Sequence, residues 1–195
     1  MATAFNMQER ETITRLLTDA ARRCAATIGM KKTTLEQLTR EAGISKSAFY
    51  RFYDSKEHLF LDILEEWHAD IYGSAESVLD GRMDLPLKAR VAQAILTACR
   101  VMGQGETMAL FAKDLPAILR RLPPDVLREH YHSDSQHIAR LIDRSGARLK
   151  VSRDIAEAML RMIVMSYFQR EDIGEHYQEA LEALVYSVCE QIIED

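Results

Sequence analysis

Apolar residues recur three, four and seven positions apart along most of the chain, which is the spacing of one face of an α-helix. No run of strand length alternates apolar and polar residues between turn signals. The pattern therefore predicts an all-α fold with about nine helices. The first apolar stripe comprises Ile13, Leu16, Leu17, Ala20, Ala21, Cys24 and Ile28, and the stripe of a long fourth helix comprises Leu59, Phe60, Ile63, Leu64, Trp67 and Ile71.

Glycine, proline and serine interrupt the apolar pattern in the rest of the chain, and these residues commonly end or begin helices. The fourth helix is expected to end near Ser77, before Gly81. The later interruptions predict helices over residues 86–102, 106–121, 124–144, 153–170 and 175–194.

Two short helices between residues 33 and 57 are bounded by polar caps. A Ser, Thr or Asp side chain at a helix start accepts a hydrogen bond from a free backbone N–H, and a Glu three positions later completes a capping box. Gly29 and Gly43 stand where the first two helices should end. The predicted caps are Thr33 with Glu36 for the second helix, Ser45 for a third helix from Lys46 to about Phe52, and Asp54 with Glu57 for the fourth.

The residues Ala42, Gly43, Ile44 and Ser45 join the second and third helices. A tight turn needs a small residue and a glycine that adopts the left-handed conformation, and the next apolar residue fills the angle between the helices. This spacing predicts a helix-turn-helix whose second helix enters the major groove of DNA. In that helix the expected inward residues are Phe49 and Phe52, and the expected outward residues are Tyr50, Arg51 and Tyr53.

The formal charge of −5 is unevenly distributed along the chain. Residues 1–60 carry ten basic and seven acidic side chains, a net charge of +3, whereas the remaining residues carry fifteen and twenty-three, a net charge of −8. From Glu171 to Asp195 there are eight acidic residues and no Lys or Arg. This distribution is compatible with nucleic-acid binding confined to the N-terminal part, although an excess of +3 is also typical of an ordinary solvated surface.

The stretch from Thr33 to Glu57 resembles the DNA-binding signature of the TetR family of transcriptional regulators, and the resemblance extends over about residues 8–64. Two features depart from the family: Ser47 and Ala48 replace a common Gly-Thr, and Tyr53 stands where Phe is frequent. The most specific pieces are Ala42-Gly43-Ile44-Ser45, Tyr50 within an aromatic run, and Ser55-Lys56-Glu57 followed by Leu59 and Phe60.

The resemblance implies a helix-turn-helix DNA-binding domain over residues 1–54 and a helical effector-binding and dimerisation domain over residues 55–195. Such a protein is a homodimer that binds an operator in double-stranded DNA, most often as a repressor that a small-molecule effector releases. Lys46 and Lys56 are expected to contact phosphates, and Ser47 and Arg51 are expected to contact bases. The predicted DNA-binding residues are Thr33, Thr34, Ser45, Lys46, Ser47, Ala48, Tyr50, Arg51, Tyr53 and Lys56.

The last two long helices carry apolar faces that are suited to a four-helix dimer interface. From the pattern alone, burial within one subunit is an equal alternative, and the family resemblance favours dimerisation. The predicted interface residues are Ile155, Met159, Met162, Ile163, Leu181, Leu184, Val185, Val188 and Ile192.

The middle helices should supply any effector cavity, although an aromatic residue or methionine at helical spacing is more often a core residue than a ligand contact. His130 and His137 lie seven apart on one helix face and could bracket a polar group or a metal ion, but we expect no metal and no cofactor. The effector candidates are Trp67, Ile71, Cys99, Met102, Met108, Phe111, Leu115, Tyr131 and His137.

Two other functions use the same residues. A regulator with the same DNA-binding domain but no small-molecule effector would have an identical N-terminal sequence. Two Glu-x-x-His pairs, Glu65 with His68 and Glu129 with His132, have the spacing of a metal-carboxylate enzyme. That enzyme also needs carboxylates on two further helices, and residues 85–103 contain none, so we expect no enzyme activity.

Composition excludes several classes of protein. Forty-seven per cent hydrophobic and 28% charged residues argue against wholesale disorder. The apolar runs are far shorter than the roughly 18 residues that cross a bilayer, and the N-terminus does not resemble a signal peptide, so we expect a cytoplasmic protein with no membrane partner. Cys24, Cys99 and Cys189 lie far apart and are expected to be reduced core thiols.

Overall fold

The computed structural model describes residues 5–104 and 106–194, with the side chains of residues 106–112 outside the description. The chain is all-α, as predicted, and α8 continues through a 3₁₀ turn (Tyr167–Gln169) into α9. The helices are α1 (Met7–Ile28), α2 (Leu35–Glu41), α3 (Lys46–Phe49), α4 (Lys56–Gly81), α5 (Leu87–Met102), α6 (Glu106–Leu119), α7 (Pro124–Ser145), α8 (Arg153–Ser166), α9 (Arg170–Ile173) and α10 (Tyr177–Ile192).

The described part of the chain contains nine helices if α9 is counted as the end of α8, in agreement with the predicted number. Its only strand-like pairing is an isolated antiparallel bridge between Leu149 and Ile193. Two predicted helix ends are wrong. The third helix ends at Phe49 because Arg51 and Phe52 bond to carbonyls three residues back, which makes a tighter turn. The fourth helix extends to Gly81 rather than Ser77.

Backbone packing divides the chain into two compact units. Of the described residues, the N-terminal unit comprises 5–67 and 106–127, and the body unit comprises 68–104 and 128–194. Helix α4 begins in the first unit and continues into the second. The functional boundary expected at residue 54 stays a prediction, because backbone packing does not report which residues bind DNA or effector.

In the N-terminal unit, α1 packs against α2 and α6, and α2 packs against α3. Leu17, Leu38 and Phe49 are completely buried at these contacts. Polar links join α6 to the turn after α1, where the Lys31 N–H donates to Asp114 Oδ2 over 3.1 Å. Helix α3 is therefore positioned by α2, which in turn packs against α1.

In the body unit, α5 and α8 both pack against α10. The buried residues of these helices form one apolar core that includes Leu96, Leu160 and Val185. The backbone of residues 148–150 bonds to the end of α10, with Lys150 N donating to Ile192 O and Glu194 N to Arg148 O, each over 2.9 Å. Cys24, Cys99 and Cys189 are free and buried, as predicted, and burial raises the pKa of the Cys99 thiol to about 11.

Candidate nucleic-acid interface

The turn between α2 and α3 has the conformation that the sequence predicts. Gly43 has a φ of +68°, in the left-handed region that favours glycine. Ile44 N donates to Thr39 O over 3.0 Å, which closes the end of α2. At the start of α3, Ser45 is the N-cap, as predicted, and its Oγ accepts from Ala48 N over 3.1 Å. These contacts set the direction in which α3 leaves the turn.

Exposed polar side chains cover the first turn of α3. Ser45 Oγ and Ser47 Oγ lie 2.9 Å apart and both residues are exposed. Lys46 is exposed as well, with Nζ 3.5 Å from Glu36 Oε2. An exposed pair of this kind contributes little free energy, so Lys46 can exchange Glu36 for a phosphate at small cost.

Tyr50 and Arg51 follow α3 on the same exposed segment. The Tyr50 side chain is 59% exposed, whereas the preceding Phe49 is completely buried, as predicted. The Arg51 guanidinium lies 4.7 Å from the centre of the Phe5 ring. Phe52 is only half-buried and its ring lies 5.5 Å from that of Phe5, so Phe5 covers the segment that follows α3.

Arg10 completes this N-terminal contact, which sequence reasoning missed. Its guanidinium lies 4.9 Å from the centre of the Phe52 ring, and Nη2 donates to the Arg51 carbonyl over 3.4 Å. A phenylalanine and an arginine near the start of a chain are too common to signal such a contact. Their role is visible only when α1 and the segment after α3 are placed together.

Thr33 was predicted both as a cap and as a DNA contact, and the structure places it in neither role. Thr33 is buried and its Oγ1 donates to Gly29 O over 2.9 Å. The N-cap of α2 is the exposed Thr34, which forms a capping box with Gln37. The predicted box with Glu36 is therefore displaced by one residue. Thr34 remains on the surface as a candidate DNA contact.

Tyr53 was expected to face DNA, but its side chain is buried. Its ring lies 5.7 Å from that of Phe49, and its hydroxyl hydrogen-bonds to Asp62. Burial is the main cause that raises the pKa of the Tyr53 phenol, with the negative charge of Asp62 adding to it. Tyr53 therefore joins α3 to α4 within the N-terminal unit.

Lys56 was expected to hold a phosphate at the start of α4, but its ammonium group is directed into the protein. Nζ donates to the carbonyl oxygens of Met30 and Lys31, each over 3.2 Å, and of Thr33 over 2.6 Å. Burial lowers the pKa of the Lys56 amine. Three carbonyls match the three donors of an ammonium group, so Lys56 ties the loop before α2 to α4.

The predicted cap of α4 is also displaced by one residue. His58 N donates to Ser55 Oγ over 3.3 Å, so Ser55 takes the place expected for Asp54. The predicted partner Glu57 is buried, and its Oε1 accepts from Arg121 Nη1 over 3.3 Å. When two candidate caps are adjacent in the sequence, the N-cap is the residue whose hydroxyl or carboxylate the turn directs at the free N–H groups.

The comparison of this segment with known families identifies the fold of the N-terminal unit. Residues 17–63 match the sequence profile described as "Bacterial regulatory proteins, tetR family". This range contains α2, the Gly43 turn, α3 and the first turns of α4.

The chain carries the DNA-binding domain of the TetR family. Within that domain the exposed Ser45, Lys46 and Ser47 lie at the start of the second helix of the helix-turn-helix, which agrees with the resemblance of residues 33–57.

Solved structures share the fold over almost the whole chain. A TetR-family transcription regulator from Marinobacter aquaeolei VT8 is 17% identical, with a TM-score of 0.60 and coverage of 97% of this chain and 100% of that one. NalD from Pseudomonas aeruginosa is 20% identical, with a TM-score of 0.63 and coverage of 96% and 99%. SmeT, solved with triclosan, is 17% identical, with a TM-score of 0.64 and coverage of 94% and 92%. At these identities the likeness establishes the TetR-family fold.

The curated proteins contain no sequence match to this chain. Across the described residues, no helix is both long enough and apolar enough to cross a membrane.

The nine residues predicted for a dimer interface differ in their exposure. Ile155, Met162 and Leu184 are exposed, and the side chain of Met162 is 73% exposed. Met159 is partly buried against the apolar core of its own chain. The other five are core residues of the body unit, because the face of α8 and α10 that sequence spacing selects is mainly the one turned inward: Ile163, Leu181, Val185, Val188 and Ile192.

The effector candidates are distributed over both units. In the body unit, Ile71, Cys99 and Met102 are buried. Tyr131 is 54% exposed, so it does not face the interior, and its neighbour His130 does so instead. His137 is half-buried, with its ring stacked 4.5 Å from that of Tyr72. In the N-terminal unit Trp67 and Leu115 are buried, and the side chains of Met108 and Phe111 lie outside the described residues.

One of the two Glu-x-x-His pairs is an ordinary surface feature. Glu129 and His132 are exposed, and His132 Nε2 lies 2.8 Å from Gln136 Nε2. Exposed side chains on the outer face of α7 do not converge with those of other helices. This pair therefore does not form half of the metal-carboxylate site that the alternative enzyme would need. The histidine of the other pair, His68, is enclosed in the body unit.

Proposed function

We propose that this protein is a transcriptional repressor that binds an operator in double-stranded DNA through α3. The observation that carries the proposal is the first turn of α3. There the left-handed Gly43 is followed by the exposed, short or basic side chains of Ser45, Lys46 and Ser47. Such a surface approaches the major groove closely, and bulky side chains would hold it away.

Operator binding requires two such domains, and the body unit supports a homodimer. Large apolar side chains on α8 and α10 are open to solvent, including Met162 at 73% exposure, Met165 at 57% and Leu184 at 47%. The two helices pack against each other within the chain. A twofold axis beside them would bury these side chains against their copies in a four-helix arrangement.

Release by a small molecule is supported by two structural relatives. SmeT was solved with triclosan, and NalD is described as the secondary repressor of a multidrug efflux pump. In this chain α4 runs without interruption from Lys56 to Gly81, so it connects the DNA-binding domain to the body unit. An effector must prefer one conformation of that connection, since equal affinity for both would shift no population.

An organic effector that enters the small apolar cavity of the body unit must open it. The apolar cavity between Leu79, Ile95, Leu141 and Leu160 has a volume of about 40 Å³, which is close to the space of a single water molecule. Preferential binding of an effector to the open state would raise the apparent stability of the folded protein. A thermal-shift screen of dyes, phenolics, acyl thioesters and drugs tests this part, and no shift across the panel supports a regulator without a small-molecule effector.

Selection of bound sequences from a pool of random duplexes at low salt tests operator binding. We expect enrichment of a palindrome-like sequence by the wild-type protein. Ser47→Ala and Arg51→Ala should each relax preference at one operator position, by about 1–3 kcal/mol. Arg128→Ala, which removes an exposed arginine of α7, is the matched control and should change neither affinity nor preference. No enriched sequence from folded wild-type protein would exclude the proposed function.

A further inference from the structure

Two imidazoles and a carboxylate meet within the body unit at the crossing of α4 and α7. His68 lies on α4, and His130 and Asp134 lie one turn apart on α7. The side chain of His130 is 3% exposed and that of His68 is 14% exposed.

The polar atoms of these three residues lie close together. His68 Nδ1 lies 2.9 Å from Asp134 Oδ1, and His130 Nε2 lies 3.8 Å from Asp134 Oδ2. A ring nitrogen of His68 and one of His130 lie within 4.8 Å of each other. The two ring centres are 5.4 Å apart. Two imidazoles on one tetrahedral zinc ion have centres about 5 Å apart, because each Zn–N bond is about 2 Å long.

Neighbouring residues hold the rings in place. One helical turn further along α4 and α7, the rings of Tyr72 and His137 stack with their centres 4.5 Å apart and their planes 5° apart. A site on two packed helices keeps its geometry better than one on a loop.

We propose that His68, His130 and Asp134 form a binding site for a divalent transition-metal ion of the zinc class. Imidazole nitrogens favour zinc, nickel and copper over magnesium and calcium, which prefer oxygen ligands. Three protein groups leave a fourth position for water or for an anionic ligand. This inference departs from the expectation of no metal, and it holds whether or not the chain binds DNA.

Metal titration of the full-length protein, after treatment with a chelator, tests the site. We expect one Zn²⁺ per chain by calorimetry, and a visible ligand-field spectrum with Co²⁺ that Zn²⁺ abolishes. His68→Gln, His130→Gln and Asp134→Asn should each weaken Zn²⁺ binding by at least about 10-fold, because loss of a direct ligand costs no less than loss of an outer partner. His132→Gln, which removes an exposed histidine of α7, is the matched control and should leave the affinity unchanged.

Far-UV circular dichroism establishes that each variant is folded. If His130→Gln unfolds the buried cluster, His68→Gln and Asp134→Asn carry the test. The proposal is overturned if wild-type protein gives neither a calorimetric signal nor a cobalt spectrum, or if His132→Gln loses as much affinity as His68→Gln. Operator selection is carried out with metal-free protein as a separate experiment. Failure of the metal site would change only the titration, and failure of DNA binding would change only the selection.

Discussion

Around α3 the N-terminal unit exposes serine, lysine, tyrosine and arginine side chains, whereas α8 and α10 of the body unit expose methionine, leucine and isoleucine. The first surface suits a hydrated, negatively charged partner, and the second suits an apolar one. Both surfaces rest on a similar apolar helix core. The difference shows that the exposed side chains, rather than the cores, distinguish the proposed partners of the two units.

The largest expected effect comes from a charge placed on the apolar surface of the body unit. Met162→Glu combined with Leu184→Glu should leave the monomer folded, because both side chains are exposed. Burying unpaired carboxylates in an apolar interface costs several kcal/mol, so the dimer dissociation constant should rise by roughly 100-fold or more. Sedimentation equilibrium measures the change.

Met83→Glu is the control for the dimer experiment. Met83 is 71% exposed but lies between α4 and α5, outside the surface of α8 and α10. This variant should dimerise as the wild type does. Equal weakening in both variants, or a wild-type protein that is monomeric at all concentrations, would remove these helices from the interface.

The two lysines at the starts of α3 and α4 show which parts of the DNA-binding domain were predictable from sequence. Each follows a serine and precedes a polar residue, and both were expected to contact phosphate. Lys46 is exposed, whereas Lys56 reaches three carbonyls between Met30 and Thr33. Those carbonyls are more than twenty residues away in sequence, so only the folded loop shows that they converge on the ammonium group.

The next largest effect should be a loss of stability in Lys56→Met. This change leaves three carbonyls of the Met30–Thr33 loop without their charged donor. Hydrogen bonds to charged groups are worth about 1.5–3 kcal/mol, so the free energy of unfolding should fall by about 2–3 kcal/mol. Urea denaturation followed by circular dichroism measures it. Lys32→Met, an exposed lysine of the same loop, should change it by less than about 0.5 kcal/mol.

A similar loss of unfolding free energy in the Lys32 and Lys56 variants would mean that the three hydrogen bonds donated by Lys56 Nζ do not stabilise the loop.

Local patterns predicted the elements of both units better than they predicted individual side-chain roles. The Gly43 turn, the Ser45 cap and the apolar helix faces follow from neighbours within four residues, and the structure contains all of them. Tyr53 could not be assigned this way, since its inward direction depends on Asp62. His68 and Asp134 lie on different helices and are 66 positions apart in the sequence, and the Glu-x-x-His spacing indicated only His68.

Substitutions at Gly43 and Gly73 can measure the cost of backbone strain apart from the cost of steric crowding. A Cβ atom added at Gly43 or at Gly73 would meet nothing within 4 Å, but only Gly43 has a positive φ, of +68°. Gly43→Val should therefore cost about 1–2 kcal/mol of folding free energy through strain alone, and it should weaken operator binding by misdirecting α3. Gly73→Ala, within α4, should instead stabilise the protein by up to about 1 kcal/mol. Urea denaturation and operator affinity check both variants.

Normal stability and operator affinity in Gly43→Val would contradict the proposed role of the left-handed turn in directing α3.

The smallest effect on stability, and the most informative about DNA, should come from Lys46→Ala. Its pair with Glu36 is exposed, so the free energy of unfolding should change by less than about 1 kcal/mol. Loss of one phosphate contact should reduce the salt dependence of DNA binding by about one unit of slope, for operator and random duplexes alike. Fluorescence anisotropy over a salt series measures the slope. Lys56→Met should retain the wild-type slope at temperatures where it is folded, because the Lys56 ammonium group of the wild type binds protein carbonyls rather than phosphate. A reduced slope in Lys56→Met with an unchanged slope in Lys46→Ala would reverse the roles assigned to the two lysines.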